Sequence, residues 1–342
     1  MNQINYFQKL IHQELIGLIN STHPKLTKIL HHHLGWDGNQ GSNNNIFSFT
    51  ENSNKIIYPF GSLFLGTIQA LNEKIESYVL AACSLELINS FIQIHEDVGQ
   101  GKPLRDNRNS TWWKWGPGQA INAGDALHSL ARIALLKQQN SNTNNENLII
   151  SMQYIDQNIF DLCSFSFHKA NEPDLFTTSV DDFINNEILG TCSLYKCSME
   201  LAGLLLPCNQ LIKKQLKKSG ENLGIAISIN KHISELSQTE ENINQNNSDI
   251  LNKKKNLPIL FAIKMANEND LDLIKKIYQK RMLDFSDLKT LNSIVEKLNI
   301  YNQCYDLLEQ YYIKSKNISF VESSDSALFN LMDILIKSNK TM

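Results

Sequence analysis

The sequence predicts an all-α protein. Apolar residues recur at spacings of three and four, for example at Tyr6, Leu10 and Ile11 and again from Tyr78 to Ile94, which is the pattern of amphipathic helices. Alternating apolar and polar runs, which are typical of strands, are nearly absent. Seven prolines and fifteen glycines among 342 residues leave room for long helices. We therefore expect roughly ten or more helices around one core, in a single domain over residues 1–342.

The first predicted helix lies in MNQINYFQKLIHQELIGLIN at the start of the sequence. It is amphipathic and lacks the charged-then-apolar order of a secretion signal. Nowhere in the chain do about 18 apolar residues follow one another, the length that a membrane span requires. We expect neither an export signal nor a transmembrane segment.

Three asparagine-rich stretches interrupt the helical pattern, and we expect them to form solvent-exposed loops because they offer little apolar area to bury. They are Asp37–Asn45, Asn140–Asn147 and Gln238–Asp249.

The overall charge argues against a nucleic-acid partner. The net charge is −3 and the pI is about 6.3, so the chain has no general basic field. Its six cysteines lack CxxC spacing and lie mostly in apolar segments, which favours a reducing cytoplasm over a secreted disulfide framework.

Three consecutive histidines, His31, His32 and His33, raise the question of a metal site. Neighbouring side chains on a helix point about 100° apart, so three in a row cannot all face one ion. A polar helix end is the interpretation that we favour.

Four segments carry a more specific signal. The helix Ser84–Asp97 ends in FIQIHED, and after a polar loop the chain reads GQAINAGDAL at Gly118–Leu127. Later come GENLGIAISIN at Gly220–Asn230 and DILNKKKNLP at Asp249–Pro258. In this order and at this spacing, they resemble the motifs of the trans-isoprenyl diphosphate synthase (polyprenyl synthetase) family. The resemblance covers roughly residues 45–330.

This resemblance implies a large helical bundle of the isoprenoid synthase type around a central pocket. It also implies an allylic prenyl diphosphate as substrate. In the family, two D-D-x-x-D motifs hold Mg²⁺ ions, which bind the diphosphate and neutralise it as a leaving group. Members pair as dimers, so the resemblance also implies a homodimer or a heterodimer with a related synthase.

The first aspartate-rich motif corresponds here to Glu96-Asp97-Val98-Gly99-Gln100. By resemblance, Glu96 and Asp97 are the candidate catalytic residues, and they join Gln100 as candidate metal ligands. A neutral amide replaces the third carboxylate, so we expect fewer ions than in typical members.

The second motif corresponds to Lys231-His232-Ile233-Ser234-Glu235. Glu235 is its one remaining carboxylate and a further candidate metal ligand. Lys231 replaces an aspartate and is a candidate diphosphate ligand, whereas His232 suits Mg²⁺ poorly because that ion prefers oxygen.

The family residues that bind diphosphate groups are also depleted. Arg105 matches the first arginine of the pair after the first motif, Asp106 replaces the second, and Arg108 lies nearby. Thr191 is kept where the family has K-T, but Gly190 replaces the lysine. Arg105, Arg108 and Thr191 are therefore candidate substrate-binding residues. Of the family residues that bind isopentenyl diphosphate near the N-terminal helices, this chain keeps at most Lys55. Asn89 replaces a histidine of the family.

Aromatic residues suggest a pocket of limited depth. Phe91 lies five residues before Glu96, where a bulky aromatic residue limits prenyl chain length in the family. It is a candidate substrate-binding residue for a short or medium chain, although a core role is the simpler interpretation. For Trp112, Trp113 and Trp115 we favour packing over stabilisation of a carbocation.

Two functions remain open on this sequence. The chain is either a diverged enzyme that ionises or transfers an allylic prenyl group, as terpene synthases do, or a non-catalytic subunit that pairs with an active synthase. Loss of the residues that bind isopentenyl diphosphate is compatible with both functions.

Overall fold

The computed structural model describes residues 2–36, 56–138, 144–169, 174–190, 192–237, 249–321 and 326–338. Within these ranges the chain forms fifteen α-helices, one short 3₁₀-helix at Ile75–Tyr78 and one small hairpin. The helices are α1 (Asn2–Asn20), α2 (Pro24–His33), α3 (Pro59–Ala70), α4 (Val79–Gly99), α5 (Thr111–Trp115), α6 (Pro117–Leu136), α7 (Asn145–Lys169), α8 (Val180–Leu189), α9 (Ser193–Leu205), α10 (Gln210–Leu236), α11 (Leu257–Met265), α12 (Glu268–Gln279), α13 (Phe285–Lys297), α14 (Ile300–Ser315) and α15 (Ala327–Ser338). The hairpin pairs β1 (Leu104–Arg105) with β2 (Arg108–Asn109).

The all-α prediction and the expected number of helices are confirmed. The chain separates into two compact units. Unit 1 comprises Met1–Gln157, Leu194–Lys217 and Ile318–Leu335, and unit 2 comprises Asn158–Ser193, Lys218–Asn317 and Ile336–Met342. The single domain and the central pocket stay predictions.

Local sequence signals explain where several helices begin. Proline is the first residue of α2, α3 and α6, a position where its missing N–H leaves no hydrogen bond unmade. Helix α13 begins with a capping box, in which the side chains of Asp284 and Asp287 each accept a hydrogen bond from the other's backbone N–H.

The asparagine-rich stretch at Asn140–Asn147 was predicted to be a loop, and this prediction is wrong at its end. Helix α7 begins at Asn145, because the side-chain oxygen of Asn144 accepts the backbone N–H of Asn147 at 2.6 Å and caps the helix. Residues 37–45, 140–143 and 238–248 lie outside the described residues.

Unit 1 is organised around α4, which packs against α1, α3 and α6. The helix is apolar on most of its circumference, and residues such as Leu85, Ile88 and Ile94 are almost completely buried. The stretch Ile75–Gly99 is long and apolar enough to cross a membrane by length and composition, but 67% of its most apolar window is buried. Packing at the core of the unit therefore accounts for its hydrophobicity.

Unit 2 is organised around the short helix α11, which packs against α8, α12, α13 and α14. Leu257, Ile259 and Leu260 on α11 are buried. A close approach between α10 and the residue that precedes α9 lies in the same unit. A Cβ placed on Gly224 would come within 2.6 Å of the Cys192 Cβ and 2.8 Å of its Cα, so only glycine fits at this position.

The described cysteines are all free. Four are buried, Cys208 is half-buried and Cys163 is exposed. The buried ones act as small apolar side chains within the two units.

Glu86 is a buried acid that links α4 to the start of α3. It is 5% exposed, and its carboxylate accepts the backbone N–H of Gly61 at 2.6 Å. That N–H belongs to the first turn of α3, where backbone donors lack a partner within the helix. Burial raises the pKa of Glu86 to about 8, although the hydrogen bonds from the backbone of Gly61 and Phe60 act in the opposite direction.

The raised pKa of Glu86 predicts a loss of stability with increasing pH. Because the folded chain keeps this proton from pH 4.5 to about 8 while the unfolded chain releases it, the free energy of unfolding falls as pH rises through this window. We expect this fall to be on the order of 2 kcal/mol in the free energy of unfolding and to disappear in Glu86→Gln, as measured by urea unfolding at several pH values. The exposed Glu14→Gln is the matched control; equal slopes in all three proteins would contradict the prediction.

The close approach at Gly224 predicts a large effect of one added methyl group. Because backbone atoms of Cys192 would have to move, we expect Gly224→Ala to lower the free energy of unfolding by about 2–4 kcal/mol in urea unfolding. Gly118→Ala is the control, since a Cβ there meets nothing within 4 Å and alanine favours the helix. Similar stability of the two variants would show that α10 does not depend on this contact.

Candidate functional site

The two motif regions lie in different units. The first-motif cluster (Glu96, Asp97, Gln100 and Arg105) is in unit 1, at the C-terminal end of α4 and on the hairpin that follows. The second-motif cluster (Glu187, Lys231, His232, Glu235, Asp249 and Lys254) is in unit 2.

A tight hairpin positions Arg105. Its two turn residues, Asp106 and Asn107, have φ of 47° and 59°, a left-handed conformation that Asp and Asn tolerate well and that matches the twist of paired strands. Arg105 and Arg108 are therefore opposite each other across the hairpin. Their guanidinium groups nevertheless bind different parts of unit 1.

The guanidinium of Arg105 binds Asp97 through two parallel hydrogen bonds. Its Nε donates to Oδ2 and its Nη2 to Oδ1, both at 2.8 Å, and Nη2 also donates to the carbonyl of Gln93 at 3.3 Å. Asp97 is 1% exposed. Burial lowers the pKa of Arg105, but the hydrogen bond and charge of Asp97 raise it by more. Both carboxylate oxygens are thus engaged within the chain, and the pair would have to open before Asp97 could bind a metal ion.

Glu96 and Gln100 are exposed and lie one turn apart on the same face of α4. The helix ends here, with the backbone N–H of Gln100 donating to the carbonyl of Glu96 at 2.8 Å. Mg²⁺ in proteins often has only one or two carboxylate ligands and completes its shell with water and phosphate oxygens. Glu96, with the amide oxygen of Gln100, fits one such ion. The metal and catalytic roles of these residues stay predictions.

Arg108 caps the C-terminus of α2. Its Nη1 donates to the carbonyl of His32 at 2.5 Å and its Nη2 to that of His33 at 3.3 Å. A cation at this position also compensates the negative end of the helix dipole. The structure therefore shows a stabilising role for Arg108, and its substrate role stays a prediction.

The three histidines of α2 have separate surroundings. Nε2 of His31 bonds to Asn20 Oδ1 at 2.9 Å, and Nε2 of His32 bonds to the carbonyl of Asn109 at 2.8 Å. His33 is buried, and burial lowers its pKa to about 3. These contacts tie the end of α2 to α1 and to the hairpin, as a polar helix end would.

Phe91 packs between two imidazoles of unit 1. It is 7% exposed, its ring meets that of His95 edge-on at 4.7 Å, and it stacks on that of His128 at 5.1 Å. His95 in turn lies against Gly124 of the GQAINAGDAL motif, where any Cβ would come within 2.4 Å of the imidazole. The contact with His95 explains why residue 124 is a glycine, and Phe91 has a packing role. The predicted effect of Phe91 on prenyl chain length stays a prediction.

The three tryptophans follow the hairpin in the chain, and Trp113 is 58% exposed. Nε1 of Trp112 donates to the carbonyl of Lys102 at 2.7 Å, and its ring meets that of Trp113 edge-on. The ammonium of Lys114 lies 4.6 Å from the ring centre of Trp115. Packing, the interpretation favoured from sequence, agrees with the contacts of Trp112 and Trp115 but not with the exposure of Trp113.

The second-motif cluster contains a series of ion pairs that runs from Glu235 through Lys231 and Asp249 to Lys254. Nζ of Lys231 lies 3.4 Å from Glu235 Oε1 and 3.0 Å from Asp249 Oδ2. The other oxygen of Asp249 accepts from Nζ of Lys254 at 2.6 Å. Desolvation of the ammonium by its neighbours alone would lower the pKa of Lys231, but the carboxylates of Glu235, Asp249 and Glu187 raise it by more.

His232 lies on the buried side of the same cluster. Its Nε2 is 4.0 Å from Glu187 Oε2 and its Nδ1 is 3.8 Å from Glu235 Oε2, while its ring meets that of Phe183 edge-on. Burial is the largest effect on its pKa, which is lowered. The imidazole is packed in the cluster, and its Nδ1 lies 3.4 Å from Nδ2 of Asn256.

Divalent ions fit the two clusters differently. In the described part of the chain, no three His, Cys, Asp or Glu side chains are grouped as a metal centre. Glu96 offers a carboxylate that is open to solvent. The carboxylate of Glu235 already pairs with the ammonium of Lys231, and this positive charge would repel a metal ion at the same place. Thr191 and Lys55 lie outside the described residues.

Sequence reasoning missed several members of the second-motif cluster. Asp249 and Lys254 belong to the DILNKKKNLP segment, so their presence near Lys231 could have been suspected from the motif order. Glu187 carries no motif signal, and only the packing of α8 in unit 2 brings it to His232.

Known proteins resemble this chain in sequence and in fold. A geranylgeranyl diphosphate synthase of Saccharolobus solfataricus is 28% identical over 265 residues, which are 76% of this chain and 74% of that protein. A (2E,6E)-farnesyl diphosphate synthase of Mycobacterium tuberculosis is 23% identical over 256 residues, with 75% and 68% covered.

Among solved structures, a geranylgeranyl pyrophosphate synthetase of the archaeon Geoglobus acetivorans superposes with a TM-score of 0.79 at 20% identity. The match covers 98% of this chain and 99% of that one. A geranylgeranyl pyrophosphate synthetase of Pyrococcus horikoshii gives a TM-score of 0.78 at 20% identity, over 100% and 98% of the two chains. These similarities show that the fold is the one implied by the motifs.

The family model described as Polyprenyl synthetase matches residues 58–298. The match lies within the region where the motifs predicted it and covers more than half of the 342 residues. The chain therefore belongs to the polyprenyl synthetase family.

Proposed function

We propose that this protein binds an allylic prenyl diphosphate and ionises it, passing the prenyl group on without isopentenyl diphosphate as acceptor. The bond between the allylic carbon and the bridging oxygen breaks heterolytically, and diphosphate leaves with the electron pair. The allylic cation that remains either forms a bond to a nucleophilic acceptor, which then releases a proton to water, or cyclises and loses a proton to water, as in terpene synthases. Membership in a family whose relatives make prenyl diphosphates supports the substrate class.

The observation that carries this proposal is the exposed pair of Glu96 and Gln100, in the register of the family's first motif. A bound Mg²⁺ would supply charge neutralisation of the leaving diphosphate. Glu96 would hold the ion, with the amide oxygen of Gln100 as a weaker ligand. Asp97 and Arg105 beside them keep the end of α4 and the hairpin in place.

The missing cations support an acceptor other than isopentenyl diphosphate. A diphosphate with about three negative charges needs several fixed cations or donors. Asp106 replaces one family arginine, Gly190 replaces the lysine, and Arg108 caps α2.

An exposed apolar surface on α6 supports self-association. Ile121, Ile133 and Leu136 are each more than 40% exposed on this helix. Such residues favour a homodimer or a heterodimer with a related synthase. The free cysteines are compatible with a cytoplasmic location.

A second candidate function is a non-catalytic subunit of a prenyl diphosphate synthase. The observation that favours it is the mutual neutralisation of Asp97 and Arg105, since neither group is then available for a ligand. In that case, both motif regions serve stability and the active site belongs to the partner synthase.

The test is release of diphosphate by the purified protein from geranyl, farnesyl and geranylgeranyl diphosphates, with and without Mg²⁺ and isopentenyl diphosphate. We expect Mg²⁺-dependent release that does not require isopentenyl diphosphate. Glu96→Gln should lower it by about tenfold or more, because the charged ligand is lost.

The control variant is Glu14→Gln, which removes an exposed carboxylate from α1 of the same unit and should leave release unchanged. Release that is equal in Glu96→Gln and the control would contradict the role of Glu96. No release from any of the substrates, beside an active synthase, would favour the non-catalytic subunit.

A further inference from the structure

We propose that the ammonium of Lys231 is a built-in cation that takes the place of a divalent metal ion in the second-motif cluster. The cluster is then complete without metal, and any metal requirement of this protein must come from elsewhere in the chain. This inference goes beyond the proposed function, because it holds whether or not the chain turns over a substrate.

The ammonium of Lys231 bridges two carboxylates. Nζ of Lys231 reaches one oxygen of Glu235, on the next turn of α10, and one oxygen of Asp249, from the segment before α11. A cation bridging carboxylates from two separate segments is the arrangement that a bound metal usually provides. Here the chain supplies the cation itself.

Both carboxylate oxygens of Asp249 are paired with ammonium groups. Lys231 binds its Oδ2 at 3.0 Å, and Lys254 binds its Oδ1 at 2.6 Å. A divalent ion that took this carboxylate as a ligand would have to displace two ammonium groups or lie beside them. Like charges at such distances repel strongly in a partly buried site.

The acids of the second-motif cluster have little access to water. The side chains of Glu187, Glu235 and Asp249 are only 14–17% exposed, whereas that of Lys231 is 47% exposed. Three carboxylates with so little access to water need compensating charge, because desolvation disfavours their ionised form. The Ser228 hydroxyl donates a hydrogen bond to Glu187, and Lys231 and Lys254 supply positive charge to Glu235 and Asp249.

Removal of the ammonium should turn the cluster into a site that responds to a divalent ion. The experiment measures the melting temperature of Lys231→Ala in EDTA and in millimolar MgCl₂, with NaCl added to equal ionic strength. It is carried out in a Glu96→Gln background, so that Mg²⁺ at the first-motif cluster does not add to the result.

We expect Lys231→Ala to lower the melting temperature in EDTA by about 2–4 °C, and Mg²⁺ to restore at least half of this loss. The Glu96→Gln background alone should be insensitive to Mg²⁺. Lys218→Ala is the matched control, since Lys218 also lies on α10 but pairs with a single acid, Glu221, at 3.2 Å. It should show little loss and no response to Mg²⁺.

Two results would overturn the inference. One is a melting temperature of Lys231→Ala in EDTA equal to that of the background. The other is a loss that Mg²⁺ leaves unrestored, which would make Lys231 an ordinary ion-pair partner. Should Lys231→Ala fail to fold, Lys231→Gln keeps most of the side-chain stem and provides the same comparison.

Discussion

The buried ion pair between Asp97 and Arg105 is the interaction on which the first-motif region depends. It joins the end of α4 to the hairpin, and the hairpin in turn carries Arg108 to the C-terminus of α2. Breaking one partner of such a pair leaves an uncompensated buried charge, which typically costs about 3–5 kcal/mol. The same residues that the family motif marks for ligand binding therefore also hold unit 1 together, and any ligand must compete with this structural role.

Internal neutralisation is common to both motif regions. Asp97 is compensated by Arg105, and the acids around α10 are compensated by Lys231 and Lys254. Glu96 differs, because its carboxylate faces solvent at the end of α4. Glu96 is therefore the more accessible of the two carboxylates in the first motif.

The sequence predicted the class of fold and the family, because helical periodicity and ordered motifs are local properties. The outcome for the three histidines followed from helix geometry alone. The roles of Arg105 and Arg108 did not, since a two-residue turn places them opposite each other and tertiary packing then separates their partners. The requirement for glycine at Gly224 depends on Cys192, more than thirty residues away. Glu187 reaches His232 only through the packing of α8, so no spacing rule could identify it.

The central claim is that this chain still binds an allylic diphosphate with the help of a metal ion near Glu96. Its most direct test is equilibrium binding of farnesyl thiolodiphosphate, in which sulfur replaces the bridging oxygen and greatly slows ionisation. Titration calorimetry with and without Mg²⁺ should show that the ion strengthens binding by about tenfold or more, and that Glu96→Gln removes this gain. Absence of binding in both conditions, or binding that is indifferent to Mg²⁺ and to Glu96, would contradict the account.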